Sequence, residues 1–270
     1  MAEQPVALTI AGSDSSAGAG LQADLKVFTA RGVYGVTAVT SVVAEVPGRV
    51  SRIMALEPGL VSEQIRLLLR AFPVGAAKTG LLCNAAIVSA VAREWREAGN
   101  ARPLVVDPVM VATSGDSLLE PAAIDVYERE LFPQATLLTP NLDEAERLLG
   151  EPIRQPAAMR RAVAALAQKY GVAVLLKGGH LRQTRALDLL WERGKITEVS
   201  ARFLPGIATH GTGCTFSAAI AAELAKGTDL CTAVTRGKRV VTAAIRRHFV
   251  WQNGQSKIVA LNHQPASAAR

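Results

Sequence analysis

Short apolar runs alternate with amphipathic stretches along the whole chain. Val6–Ile10 predicts a buried strand that leads directly into a glycine-rich turn. Leu21–Arg31 has helical spacing through Leu21, Leu25 and Phe28 and stops at Gly32. Val36–Val43 is rich in Val and Thr, which suits a strand. Val61–Phe72 predicts a helix with Ile65, Leu68, Leu69 and Phe72 on one face. Asn84 is placed to cap a helix whose shared face is Ile87, Val88, Val91 and Trp95, and Gly99 marks its end. Leu104–Val106, Leu137–Leu138 and Val172–Leu176 predict short strands, with helical patterns near 121–131, 141–149 and 156–170 among them. Ala186–Glu192 and Ile196–Ser200 flank Arg193-Gly194 and predict a hairpin. A loop over 206–213 leads into an alanine-rich helix, and a last helix covers about 230–248.

Strand–helix alternation of this kind predicts an α/β fold with a mainly parallel sheet and helices on both faces. No linker or internal repeat interrupts it, so residues 1–270 are expected to form one domain, with a loosely ordered polar tail over 251–270. Asp107, Asn141 with Glu144, and Lys177 each follow a strand candidate. Ligands of open α/β sheets bind outside the carboxyl ends of the strands, so these polar residues are expected along one rim.

Composition supports a large buried core, since 49% of residues are hydrophobic and 20% charged. The formal charge of +7 fits either attraction of an anion such as a nucleotide or a generally basic surface. The densest basic stretch, Arg236, Lys238, Arg239, Arg246 and Arg247, lacks interleaved aromatics. It reads as a solvated helix face rather than a nucleic-acid groove. Cys83, Cys214 and Cys231 are odd in number and far apart, which argues against a disulfide framework or a zinc site and fits a reducing cytoplasm. The opening MAEQPVALTIAGSD does not read as a signal peptide, and no uncharged apolar run is long enough for a membrane span.

Four motifs carry candidate chemistry. AGSDSSAGAG over 11–20 lies between a strand and a helix, where glycines allow a ligand close to the backbone. It is not a Walker A loop, and a plain turn also accounts for it. His210-Gly-Thr-Gly-Cys214 opens the alanine-rich helix. Its small residues let backbone N–H groups converge into a hole for developing negative charge. Cys214 stands where a general base would meet a substrate hydroxyl, and a helix N-terminus biases a thiol toward thiolate. Thr139-Pro-Asn141-Leu-Asp-Glu144 places Asn and Glu on one side of a first helical turn. That pair suits either Mg²⁺ held through water or ordinary N-capping. Leu176-Lys177-Gly-Gly-His180 puts a lysine within reach of a phosphate, or in a solvated turn.

ALTIAGSDSSAGAGLQADLK, VVAE, DPVM with TSGD, TPNLDEAE, LLKGGH and ATHGTGCTFSAAIAA follow one another over about residues 5–250. In order and spacing they resemble the hydroxymethylpyrimidine/phosphomethylpyrimidine kinases of the ribokinase-like superfamily. The GTGC hole is specific to this branch, because sugar kinases and most pyridoxal kinases of the superfamily carry Asp at the position of Cys214. The resemblance implies a three-layer α/β/α fold, a homodimer, ATP with Mg²⁺ as donor, and two successive phosphorylations of a pyrimidine substrate. It implies an anion hole built by Gly211, Thr212 and Gly213, with Cys214 as base. It places Lys177, Asn141 and Thr212 on ATP, and Asp107 and Glu144 with the metal. Gly12, Asp24, Val43 and Glu45 would surround the pyrimidine, and Leu81 would pack over it.

Three positions depart from the family pattern: Ala17 in a usual Gly-Gly pair, Glu45 for a glutamine, and Leu81 for a methionine. The last two bear on the acceptor ring. A vitamin B6 kinase of the same superfamily is therefore the nearest rival. A non-catalytic ligand sensor is a rival of another class, opposed by the intact set Lys177, Glu144 and Cys214.

Overall fold

Strand polarity and burial in the computed structural model explain the sequence pattern. The structure describes residues 3–99, 102–110, 120–179, 185–205, 207, 210–254 and 256–264. The elements, in chain order, are β1 (Val6–Asp14), α1 (Gly20–Ala30), β2 (Tyr34–Val46), β3 (Arg49–Ala55), α2 (Pro58–Ala71), β4 (Val74–Thr79), α3 (Ala85–Glu97) and β5 (Leu104–Val106). There follow α4 (Pro121–Val126), β6 (Leu137–Leu138), α5 (Leu142–Leu149), α6 (Pro156–Tyr170), β7 (Ala173–Lys177) and the hairpin β8 (Arg185–Glu192) and β9 (Lys195–Arg202). The last elements are α7 (Thr212–Ala225), α8 (Leu230–Arg246), β10 (Phe249–Asn253) and β11 (Ser256–Ala260).

Nine strands form one sheet in the order β3-β2-β1-β4-β5-β6-β7-β8-β9. The six from β2 to β7 are parallel, while β3, β8 and β9 join antiparallel at the two edges. Alternate residues of each central strand feed two cores. Leu8, Ala77, Val106, Leu138 and Leu176 pack under the helices α2 to α6. Ala7, Ala76, Val105, Leu137 and Leu175 pack under α1, α7 and α8. This is the expected three-layer α/β/α fold.

Helix α7 is buried without a break from Thr215 to Leu224, because it is wedged between the sheet, α1 and α8. Its alanines make that possible, and so does Gly237 on α8, where a Cβ would lie 2.9 Å from Ile220 and 3.0 Å from Phe216. The one acid inside α7, Glu223, is fully buried and meets Arg31, Lys226 and Arg236 at 2.6–2.9 Å. Other local expectations also hold. Asn84 accepts from the N–H of Ile87 at 3.0 Å. Arg193 and Gly194 both take positive φ, as a two-residue hairpin turn requires.

Three expectations are corrected. The sequence reading contains neither β3 nor β4. Strand β3 is mostly exposed, so it carries no apolar alternation. Strand β4 is central but reads Val-Gly-Ala-Ala-Lys-Thr, a composition poor in strand formers. The tail is the third correction. The chain from Phe249 forms the β10–β11 hairpin, and Val259 and Leu261 bury their side chains. The runs Phe249–Trp251 and Ile258–Leu261 on either side of Asn253-Gly254 are a hairpin signal that the sequence reading passed over.

Candidate active site

The order of the strands fixes where a ligand can sit. From β1 the chain goes to β2 on one side, then crosses to β4 on the other. The crevice outside the carboxyl ends at such a switch point is the usual ligand site of open α/β sheets. A cavity of about 560 Å³ opens there. It runs along the rim from Val43 and Glu45 on β2, past Gly12, Leu81, Asp107 and Lys177, to Asp188 on β8 and Arg202 on β9.

At its middle lies the first turn of α7. Gly211 is the N-cap residue, with φ +81°, and no side chain caps the helix. That conformation favours glycine, and a Cβ would meet the Gly18 carbonyl at 1.9 Å. Gly211, Thr212, Gly213 and Cys214 all line the cavity. A helix start presents N–H groups that the helix itself does not satisfy, together with the positive end of its dipole. A Cβ on Gly213 would lie 3.4 Å from Lys177 Nζ and 3.6 Å from Asp107 Oδ2, so cation, carboxylate and helix end converge.

Asp107 is buried at the end of β5. It takes Lys177 Nζ at 2.7 Å and Thr139 Oγ1 at 3.0 Å, and Ser217 Oγ lies 3.2 Å from its other oxygen. Burial works against its charge, but Lys177 and Lys78 outweigh it and hold the carboxyl below the usual range. Asn141 and Glu144 form a capping box on α5: Glu144 N–H donates to Asn141 Oδ1 at 2.9 Å, and Asn141 N–H to Glu144 Oε2 at 2.8 Å. N-capping is therefore one role of this pair, and both residues also line the cavity. Burial, opposed by Lys177 and reinforced by Asp107, pushes Glu144 up to about 7. Two buried carboxylates thus share one lysine, and their oxygens are the donors a hard divalent cation takes. The residues fit Mg²⁺.

Cys214 and Asp24 require correction. The thiol is not biased toward thiolate: burial pushes it up to about 11, against a smaller opposing pull from Lys78. Asp24 does not line the cavity. It is fully buried beneath it, bound to Lys78 Nζ at 2.8 and 3.0 Å and to Thr9 Oγ1 at 2.6 Å. Its oxygens serve Lys78, a buried lysine on β4 to which the sequence reading gave no role.

Gly12, Val43, Glu45 and Leu81 line the β1–β2 end as expected. Beside Glu45 lie two residues given no role from the sequence, Asp14 and His210, whose side chains pair at 3.1 Å. Asp14 also accepts from Ser16, Gly18 and Ala19. Burial would raise its carboxyl, but His210, Ser16 and Ala19 hold it well below the usual range. The same bond raises His210. Burial first, then the Asp14 charge, pushes Glu45 up to about 7, with His210 offsetting part. Both new residues sit inside quoted motifs, which is the signal that could have found them. Ala17, in the same loop, holds φ +57°, a conformation natural to the glycine of the family pattern.

The β8–β9 end was not read from the sequence at all. Phe203, Leu204, Val241 and Ile245 give it apolar walls, with Asp188 and Lys238 on the floor. Those two pair at 2.6 Å and are almost fully buried. The expected solvated face of α8 is corrected accordingly, since Lys238 faces inward and Arg236 binds Glu223, while Arg239 and Arg246 are exposed. His180 and the stretch Thr113–Asp116 lie outside the described residues.

An open helix end, a lysine and two carboxylates on the rim of this sheet define a phosphotransferase of the ribokinase-like class. The model of the family described as phosphomethylpyrimidine kinase matches residues 14–259, and the chain belongs to that family. It is 43% identical to the hydroxymethylpyrimidine/phosphomethylpyrimidine kinase of Rhizobium meliloti, over 93% of this chain and 94% of that one. It is 45% identical to the thiamine biosynthesis bifunctional protein ThiED of Geobacter sulfurreducens over 88% of this chain, and spans about half (49%) of that longer relative. Among solved structures it is similar to phosphomethylpyrimidine kinase from Clostridium difficile 630, with TM-score 0.79, 36% identity, and 89% and 99% of the two chains covered. It is also similar to pyridoxal kinase from Staphylococcus aureus in complex with AMP-PCP and pyridoxal, with TM-score 0.87, 33% identity, and 99% and 96% covered. No helix among the described residues is long and apolar enough to cross a membrane.

Proposed function

We propose that this chain transfers the terminal phosphoryl group of ATP to the hydroxymethyl group of 4-amino-5-hydroxymethyl-2-methylpyrimidine, and a second one to the resulting monophosphate, in thiamin biosynthesis. The observation that carries this reading is the convergence of Gly213, Lys177 Nζ and Asp107 at the uncapped start of α7, beside Cys214. A phosphoryl group placed there meets backbone N–H groups and a cation where its charge is spread in the transition state.

The pyrimidine lies between Gly12, Val43, Glu45 and Leu81, and its hydroxyl points at Cys214. The hydroxyl oxygen forms the bond to phosphorus, the bond to the bridging oxygen of ATP breaks, and the hydroxyl proton goes to Cys214 Sγ in the fraction of molecules that carry it as thiolate. Lys177, Asn141 and Thr212 hold the ATP phosphates, and the adenine fits the apolar walls at the β8–β9 end. Asp107 and Glu144 would hold Mg²⁺, which supplies charge neutralisation between the phosphates.

The three free cysteines support a cytoplasmic setting. Exposed Val42, Val46 and Met54 on β2 and β3 support a homodimer through that edge. A B6 kinase is the second reading, favoured by the likeness to the S. aureus pyridoxal kinase and by Glu45 and Leu81 at the ring. Initial rates with ATP, Mg²⁺ and a panel of the pyrimidine alcohol, its monophosphate and pyridoxal separate them. Turnover of pyridoxal alone would move the assignment to the second reading.

A further inference from the structure

The helix end that receives the phosphoryl group begins without a capping side chain. An open end of this kind needs bracing, since a misplacement of about 1 Å can cost on the order of 10²-fold in rate. Among the described residues, contacts from Gly18, Ser217 and His263 brace the first turn. The Gly18 carbonyl crosses against Gly211. Ser217 Oγ lies 2.9 Å from the Gly213 carbonyl and 3.2 Å from Asp107 Oδ2. The third comes from the far end of the chain, where His263 Nε2 lies 2.8 Å from Thr215 Oγ1.

Thr215 is fully buried, follows Cys214 directly, and closes the first helical hydrogen bond through its N–H to Gly211 O at 2.9 Å. The segment that delivers His263 is itself fastened. Val259 and Leu261 are buried, Asn262 N–H donates to the Ala244 carbonyl at 3.3 Å, and Arg247 Nη2 donates to the Gln264 carbonyl at 2.7 Å. The tail is thus tied to the end of α8 and laid against the start of α7. Burial, with Lys26 nearby, pushes His263 down to about 4, so the ring is neutral at working pH. A neutral ring protonated on Nδ1 can accept a hydrogen bond from the Thr215 hydroxyl on Nε2.

We propose that His263 is a positioning residue for phosphoryl transfer, holding the first turn of α7 in place through Thr215. The inference rests on the reading that this turn receives the transferred group. His263 touches no reacting atom. Its contribution is the fixed placement of N–H groups and of Cys214, while the substrate contacts themselves are made by other residues.

The test uses the full chain with His263→Ala, His263→Gln, Thr215→Val and the double variant Thr215→Val/His263→Ala. The alanine and valine variants are expected to lower kcat by about 10-fold or more, with KM for ATP within about twofold. Glutamine, whose amide oxygen can accept near the place of Nε2, is expected to restore kcat to within about threefold. The double variant should be no slower than the slower single, as for two partners of one bond. Unchanged kcat in both singles would overturn the inference, as would a glutamine variant as slow as alanine or losses that multiply in the double. If His263→Ala fails to fold, Thr215→Val and His263→Gln decide alone. No turnover by the unaltered chain would sink the kinase reading itself, whereas normal turnover by the variants sinks only the role of His263.

Discussion

Replacing Cys214 by alanine should separate the two phosphorylations. The first acceptor is an alcohol, which must lose a proton as its oxygen attacks. The second is a phosphate monoester, whose second pKa of about 6 leaves it already ionised at neutral pH and above. A general base is therefore needed for the first transfer and not for the second. With its thiol near 11, only about one Cys214 in 10³ is thiolate near pH 8. The alcohol step should then climb about tenfold per pH unit through the mildly alkaline range, without a plateau. Rates are best read as kcat/KM for ATP at saturating acceptor, so that titration at the ring end drops out. Cys214→Ala should slow the alcohol step by roughly 10²–10⁴-fold and abolish its pH slope. The monophosphate step should fall by no more than about tenfold, the residual loss coming from packing. ADP release with the products resolved by anion exchange measures both steps. Equal losses in the two steps, or an alcohol step flat in pH for the unaltered chain, would refute a proton-accepting role.

The donor side makes separate predictions. Lys177→Ala should raise KM for ATP about 10-fold or more, since it removes a charge-assisted contact and leaves Asp107 without its closest cation. Glu144→Gln should raise the Mg²⁺ concentration needed for half-maximal rate while thermal stability holds, because glutamine preserves the capping box with Asn141; a parallel loss of stability would mean that the role is structural. Glu45, pushed up to about 7, is protonated below that pH and ionised above it. A protonated carboxyl can donate to a ring nitrogen as well as accept from an amino group, whereas the ionised form only accepts. KM for the pyrimidine alcohol should therefore rise as pH climbs through about 7. Glu45→Gln should flatten that profile and leave KM for ATP unchanged, and superimposable profiles would exclude a ring-reading role. Ala17→Gly relieves a positive φ and should stabilise the protein by about 1 kcal/mol in denaturant titration; a loss of stability would show that Ala17 is unstrained.

The rim of the site was legible in the sequence because parallel strands end abruptly. Asp107, Asn141 and Lys177 each terminate an apolar run, and the sheet brings those ends together. The helix start at Gly211 was legible because small residues in series have few other uses. What stayed hidden depends on three-dimensional neighbours. Asp24 reads as a polar helix residue that could face a ligand, yet Lys78, 54 positions away, claims it. Lys238 reads as one more cation on a basic helix until Asp188 appears opposite it. The Cys214 thiol shows the same limit in energetic form. A helix N-terminus is visible in the sequence, but the burial that raises the thiol is set by elements from the whole chain.

Product analysis after incubation with ATP, Mg²⁺ and the pyrimidine alcohol tests the assignment most directly. Chromatography with phosphorus detection should show the monophosphate first and the diphosphate after it, with ADP formed in step with each transfer. Pyridoxal, supplied at the same concentration, should be phosphorylated more slowly than the pyrimidine. Absence of both pyrimidine products, with ready formation of pyridoxal phosphate, would contradict the assignment.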